Sequence, residues 1–206
     1  MQKIIHILYK TILHIIHIVL DSIYTTFFKF ELWINYVLFD NTLHVKNAAP
    51  IMWRQNGGKG IVSIGNNVTF ISYGDHSYNC RCKIMIEKNA NLIIGHDTGF
   101  NGVLIYCQES IKIGDYVKIG GGTRIFDTDH HPIDWRERRM PGNGLKAKHS
   151  PILIEDDVFI GTGCCIMKGV TIGARSIVAA GSVISKSIPP DEIWGVNPAK
   201  FIKRIK

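Results

Sequence analysis

Cysteine is scarce and unpatterned in this chain of 206 residues, with five in all: Cys80, Cys82, Cys107, Cys164 and Cys165. The number is odd, and neither a CxxC pair nor a zinc-type spacing occurs, so no disulfide framework and no required metal are expected. A reducing cytoplasm is the simplest compartment for such a set. Acidic residues are few as well, 17 against 24 Lys and Arg, which leaves a formal net charge of +7. That balance suits an anionic small molecule, a membrane surface or nucleic acid. The basic residues are spread out and no nucleic-acid-binding motif accompanies them, so nucleic acid drops out of the expected partners. A small-residue cleavage site is missing after the apolar N-terminus, which argues against a secretory signal.

What the chain does have is a six-residue rhythm. Ile154, Ile160, Ile166, Ile172, Val178 and Ile184 recur at one spacing, and Val158, Cys164, Val170, Ser176 and Ser182 follow four places after the first five of them. Earlier copies include Ile113-Gly114, Ile119-Gly120 and Ile94-Gly95. A period of six fits neither a helix nor a lone strand. It fits a solenoid in which each hexapeptide is one short strand and one turn, three hexapeptides closing a triangular coil. The expected solenoid runs from about Ile61 to Ile188, with residues 47–60 as a lead-in loop and residues 71–85 fitting the repeat poorly.

Residues 1–46 differ in kind. From Ile4 to Phe39 the chain is mostly apolar, yet Lys3, His6, Lys10, His14, His17 and Asp21 recur every three or four residues. Such a stripe belongs to an amphipathic helix that lies on a membrane or packs on the rest of the protein. A spanning helix would carry Lys10 and several histidines into the hydrocarbon. The aromatic-rich stretch 22–40 reads as a second helix.

The rhythm stops between Phe126 and Pro151. An insertion at 127–150 opens with Asp127-Thr128-Asp129-His130-His131-Pro132. Long excursions from a rigid repeat are where function concentrates. A histidine there can act as a general base near neutral pH, oriented by an adjacent carboxylate; the alternative is a loop stabilised by its own Asp side chains.

The hexapeptides, the His-Pro loop and the tail Gly195-Val-Asn-Pro198-Ala199-Lys200 resemble the left-handed parallel β-helix acyltransferases. More narrowly, they resemble the galactoside and maltose acetyltransferases and the bacterial polysaccharide O-acetyltransferases. The likeness covers about residues 61–206. It implies a mainly β fold, a left-handed parallel β-helix domain (47–206) ending in a short C-terminal helix, which the amphipathic helical segment read from the polar stripe (1–46) precedes. It also implies acetyl-coenzyme A as co-substrate, a homotrimer and a sugar or glycan acceptor. Carried over by position, the catalytic histidine falls on His131 and an acceptor-binding asparagine on Asn101; Asp129, the nearby carboxylate, is the candidate for orienting His131. The coenzyme contacts fall on Thr162, Ala180, Ser185, Lys186 and Lys203. The flanking Gly163 and Ala179 and the nearby Lys200 complete that groove, while Arg136 and His96 are further acceptor-side candidates.

The implied reaction is O-acetylation of a sugar hydroxyl, on a surface polysaccharide or a lipid-linked glycan. The long apolar N-terminus departs from the soluble sugar acetyltransferases and suggests contact with the cytoplasmic membrane face. Serine acetylation (through His96-Asp97-Thr98-Gly99), acetylation of a chloramphenicol-type antibiotic, and a non-catalytic scaffold stay open as alternatives.

Overall fold

An aliphatic residue every six places is buried at each recurrence only if the chain turns a third of a circuit per hexapeptide. The computed structural model describes residues 2–55, 59–72 and 80–205, and it shows that circuit made six times. The first coil holds β1 (Leu38–Phe39), β2 (His44–Lys46) and β3 (Ile51–Arg54). The second holds β4 (Val62–Ile64), β5 (Thr69–Ile71) and β6 (Lys83–Ile86), and the third β7 (Asn91–Ile94), β8 (Gly99–Asn101) and β9 (Leu104–Cys107). Then come β10 (Ser110–Ile113), β11 (Lys118–Ile119) and β12 (Arg124–Phe126). After the insertion, with α2 (Trp135–Arg138) and a 3-10 turn (Asn143–Lys146), come β13 (Ile152–Ile154), β14 (Phe159–Ile160) and β15 (Cys165–Ile166). The last coil is β16 (Thr171–Ile172), β17 (Ile177–Val178) and β18 (Val183–Ile184).

Every third strand stacks in parallel, giving three walls. We call them A (β1-β4-β7-β10-β13-β16), B (β2-β5-β8-β11-β14-β17) and C (β3-β6-β9-β12-β15-β18). The register aligns the aliphatics in columns: Ile64, Ile94, Ile113, Ile154 and Ile172 in wall A, and Ile84, Ile105, Ile125, Ile166 and Ile184 in wall C, all buried. Near the base the filling is aromatic, with Phe70 stacked on Phe100 at 4.9 Å between centroids. Near the top it is small: Ser176 and Ser182 are buried with hydroxyls bonded to the Pro189 and Ala179 carbonyls. Close stacking at the corners needs glycine. A Cβ on Gly161 would lie 2.6 Å from the Ala180 nitrogen and 2.8 Å from its Cα.

Three expectations need correction. The solenoid starts at Leu38, not near Ile61, and the expected lead-in loop contains β3. Leu43, Val45 and Met52 are buried in this first coil, but its strands are short and Leu38, Ile51 and Trp53 face outward, which hides the period. Gly57, Gly58 and residues 73–79 lie outside the described residues. The N-terminal segment is one helix, α1 (Gln2–Ile34), with no second helix at 22–40. The short C-terminal helix is absent from the described residues. Instead β19 (Glu192–Gly195) extends wall B beside β17, and β20 (Lys200–Arg204) returns antiparallel to it. The open hydrogen-bonding edge of the last coil is met by backbone of an extended strand, which a helix cannot supply.

Candidate active site

The insertion leaves the coil at the edge between walls C and A. Its root is Asp127, fully buried, whose carboxylate accepts from the backbone N–H groups of Gln108, Glu109 and Ser110 at 2.7–2.8 Å. Its carbonyl accepts from Ser150 N–H, so one residue ties both ends of the loop to the coil below. Asp129 pins the loop to the coil above: its carboxylate meets Lys168 Nζ at 2.6 Å, both side chains about a quarter exposed. Asp129 therefore does not orient the His131 ring; only its backbone carbonyl touches that residue, accepting the His131 N–H at 2.7 Å.

The ring of His131 is oriented by a residue that adjacency does not suggest. Nδ1 lies 2.6 Å from Asn143 Oδ1. The Asn143 amide nitrogen donates to the Arg138 and Met140 carbonyls at 2.9 and 3.0 Å, which fixes the oxygen as the atom facing histidine. That oxygen only accepts, so in the neutral ring Nδ1 carries the proton and Nε2 the lone pair. The Arg138 guanidinium in turn binds the carbonyls of Pro132 and Ile133 and holds the turn after His131. Asn143 is the one carboxamide side chain between 127 and 150 and sits between Gly142 and Gly144, which was the available sequence signal.

His130 points elsewhere. Its backbone is left-handed (φ 59°), and its ring packs edge-on to Tyr106 and Phe126 at 4.5 and 5.0 Å. Burial, then the neighbouring His131, lower its pKa, so the ring is neutral at neutral pH. It lines a cavity of about 330 Å³ with Glu87, Lys88, Tyr106, Gln108 and His149. Tyr106 donates to Glu87 at 2.6 Å, and burial, then that carboxylate, push the phenol's pKa up. His149 Nδ1 lies 2.8 Å from Glu109 Oε2.

The other candidates occupy separate corners. His96 sits between walls A and B, where its Nδ1 accepts the Asn66 N–H at 2.9 Å and its own N–H donates to Asp115 at 2.7 Å. That nitrogen serves a turn, at a different corner from the insertion. Asn101 closes β8 at the corner between walls B and C, in a cavity of about 260 Å³ with Lys118 and Phe159. The same corner carries Thr162, Gly163 and Ala180 in adjacent coils, joined by Gly181 N–H to Thr162 O at 2.8 Å. A Cβ on Gly163 would meet nothing within 4 Å, so backbone there is open to a ligand. Ala179 beneath is half-buried. Ser185 and Lys186 are exposed at the C–A corner, two coils above the insertion, and Lys200 and Lys203 are exposed on β20. Arg136 binds Asp134 through Nε and Nη2, at 3.0 and 2.7 Å, so its fork is already taken.

Comparison with known proteins follows the same lines. The family model for the bacterial transferase hexapeptide (six repeats) matches residues 151–186. Escherichia coli galactoside O-acetyltransferase is 34% identical over 124 residues, 59% of this chain and 58% of that protein. A Vibrio cholerae hexapeptide-repeat acetyltransferase, solved with acetyl-coenzyme A, is 31% identical, with 75% of this chain and 71% of that one covered and a TM-score of 0.50.

The chain belongs to the hexapeptide-repeat acetyltransferases.

A mitochondrial gamma carbonic anhydrase of Arabidopsis thaliana is 37% identical over 101 residues, 43% of this chain and 36% of that protein. The chain spans about half the length of the curated relatives it matches. This hexapeptide-repeat acetyltransferase carries the Asn143-bound histidine on its insertion and the long α1 at the base of its coil.

Proposed function

We propose that the protein is an acetyl-coenzyme A-dependent O-acetyltransferase acting on a sugar hydroxyl of a surface polysaccharide or lipid-linked glycan, on a coil that winds left-handed. The observation that carries this reading is the Nδ1-protonated His131, whose free Nε2 has the form a general base requires. Nε2 removes the proton of the acceptor hydroxyl as that oxygen attacks the thioester carbonyl. The oxyanion is met by a backbone N–H of a neighbouring coil. On collapse, the imidazolium returns its proton to the departing sulfur, which leaves free coenzyme and the acetyl ester. Asn143 supports the imidazolium without competing for the proton.

The acetyl donor supplies an activated acyl group; this chain supplies the place for it. Thr162, Gly163 and Ala180 form an open, small-residue corner against which an extended arm lies, and Lys186, Lys200 and Lys203 serve its phosphates. Asn101 lies on that corner, while His131 lies across wall C from it. A homotrimer unites them, each loop reaching the small-residue corner of its neighbour. The cavity beside His130 suits a hydroxyl-rich acceptor, since Glu87, Lys88 and Gln108 offer hydrogen bonds and Tyr106 an aromatic face.

The test is acetyl transfer, followed by thiol release, across a panel of glycan acceptors. His131→Ala should lower turnover by about 10²–10⁴-fold with coenzyme affinity kept. His130→Ala and His96→Ala should cost far less. A near-normal rate for His131→Ala, or no acetyl transfer to any glycan, would defeat this reading.

A further inference from the structure

α1 is far longer than its docking requires. It meets the coil through Asp21, Tyr24, Thr25, Phe28 and Leu32, one face at helical spacing. Phe28 and Leu32 are fully buried, and Phe28 meets Phe70 edge-on at 5.6 Å. Asp21 accepts the Asn47 N–H at 2.7 Å, and the Thr25 hydroxyl accepts the Val45 N–H at 3.0 Å. The last third of the helix is thereby fixed across the base of the coil.

Followed toward the N-terminus at about 100° per residue, the docked face continues through His17, His14, Lys10 and His6. The polar stripe is therefore the coil-facing side of the overhanging helix. The opposite side carries Leu8, Ile12, Ile15, Val19, Ile23 and Phe30, all exposed, along about 33 Å without a charged residue. The first acidic residue of the chain is Asp21.

We propose that this apolar line of α1 lies flat on the surface of an anionic lipid bilayer and holds the coil base toward the membrane. By length and composition His6–Ile34 is enough to cross a bilayer. Docking holds Asp21 to Leu32 of that stretch on the coil, so the part of α1 free to insert, residues 2–20, is about 28 Å long against a hydrocarbon core of ~30 Å. Crossing would also strand Lys10 and three histidines in lipid tails. Lying flat satisfies both faces. The apolar line enters the acyl boundary, while Lys10 and the histidines stay at headgroup level on the coil side. A run of cationic and titratable groups with no acid before Asp21 complements phosphate-bearing headgroups. Trp33, packed beside Phe30 at 6.0 Å, and the exposed Tyr36 place aromatic rings at the same level.

The proposal stands apart from acetyl transfer, and its test reads no activity. Full-length protein is floated with phosphatidylcholine vesicles, with and without phosphatidylglycerol. It should float with the anionic vesicles and much less with the neutral ones. Ile12→Glu, Ile15→Glu and Val19→Glu together should lower the partition at least about tenfold, with oligomer size unchanged by light scattering. The corresponding triple glutamine variant should move the same way and guards against a folding defect in the first. Lys10→Gln with His14→Gln should reduce mainly the preference for anionic vesicles. Wild-type protein that stays in the soluble fraction, or a triple variant that floats undiminished, would overturn the proposal. So would a triple variant that falls to a smaller oligomer, which would assign the face to a second copy. Resistance of the membrane-bound protein to alkaline carbonate would assign it to a spanning helix.

Discussion

The Asn143–His131 contact makes a sharp statement about protonation. A neutral carboxamide fixes the tautomer but adds no charge, so replacing it separates geometry from electrostatics. Asn143→Ala should reduce turnover by about 10- to 100-fold, since the ring then samples both tautomers and several orientations, while coenzyme affinity stays. Asn143→Asp tests the charge. A carboxylate beside Nδ1 favours the imidazolium, and the base works only when neutral. The acid limb of the pH–rate profile should therefore move to higher pH, which a merely structural defect would not produce. Asp129 shows why adjacency misleads: two residues away along the chain, its carboxylate is spent on Lys168.

Elements matter here as stacked corners. Asp127→Ala would leave three partly buried backbone donors without their carboxylate at the root of the insertion. At a cost of ~1–3 kcal/mol for each unsatisfied group, the loop should detach before the coil melts. Limited proteolysis should then cut within 127–150 while the C-terminal coils stay protected. Gly161→Ala acts on the coil itself, because the new methyl meets backbone of the next turn. It should lower stability by about 1–3 kcal/mol in thermal unfolding. Ala180→Trp, at an exposed position on the same corner, should leave stability alone and weaken acetyl-coenzyme A binding at least about tenfold by calorimetry.

At the scale of the whole molecule, the candidate residues stand on opposite edges of wall C, and that arrangement predicts a shared site. His131→Ala and Ala180→Trp chains, each impaired alone at low acetyl-coenzyme A, should regain activity when co-expressed. Random mixing within trimers leaves about a quarter of the sites with both parts intact. No recovery, with mixed trimers demonstrated, would place the whole site within one protomer. Capping of the base by α1 belongs to this scale too. Phe28 fills the end of the prism against Phe70, and an uncapped repeat would expose that core.

The sequence by itself determined the coil. The six-residue recurrence from Ile154 to Ile184 leaves one way to bury every aliphatic, and the three-wall register follows from it. It also bounded the insertion, because the rhythm breaks after Phe126 and resumes at Ile152. The first coil was illegible, since strands of two to four residues whose outward positions include Leu38, Ile51 and Trp53 carry too little alternation to read. So was the terminal strand pair, because the choice between helix and strand for Lys200–Arg204 was made by the open edge of β19, not by local preference. Only the tertiary structure chose Asn143 over Asp129 as the partner of His131, and only it turned the polar stripe of α1 toward the coil. Periodicity records what each residue must hide from water, whereas the pairing of particular side chains depends on where a folded loop brings them in space.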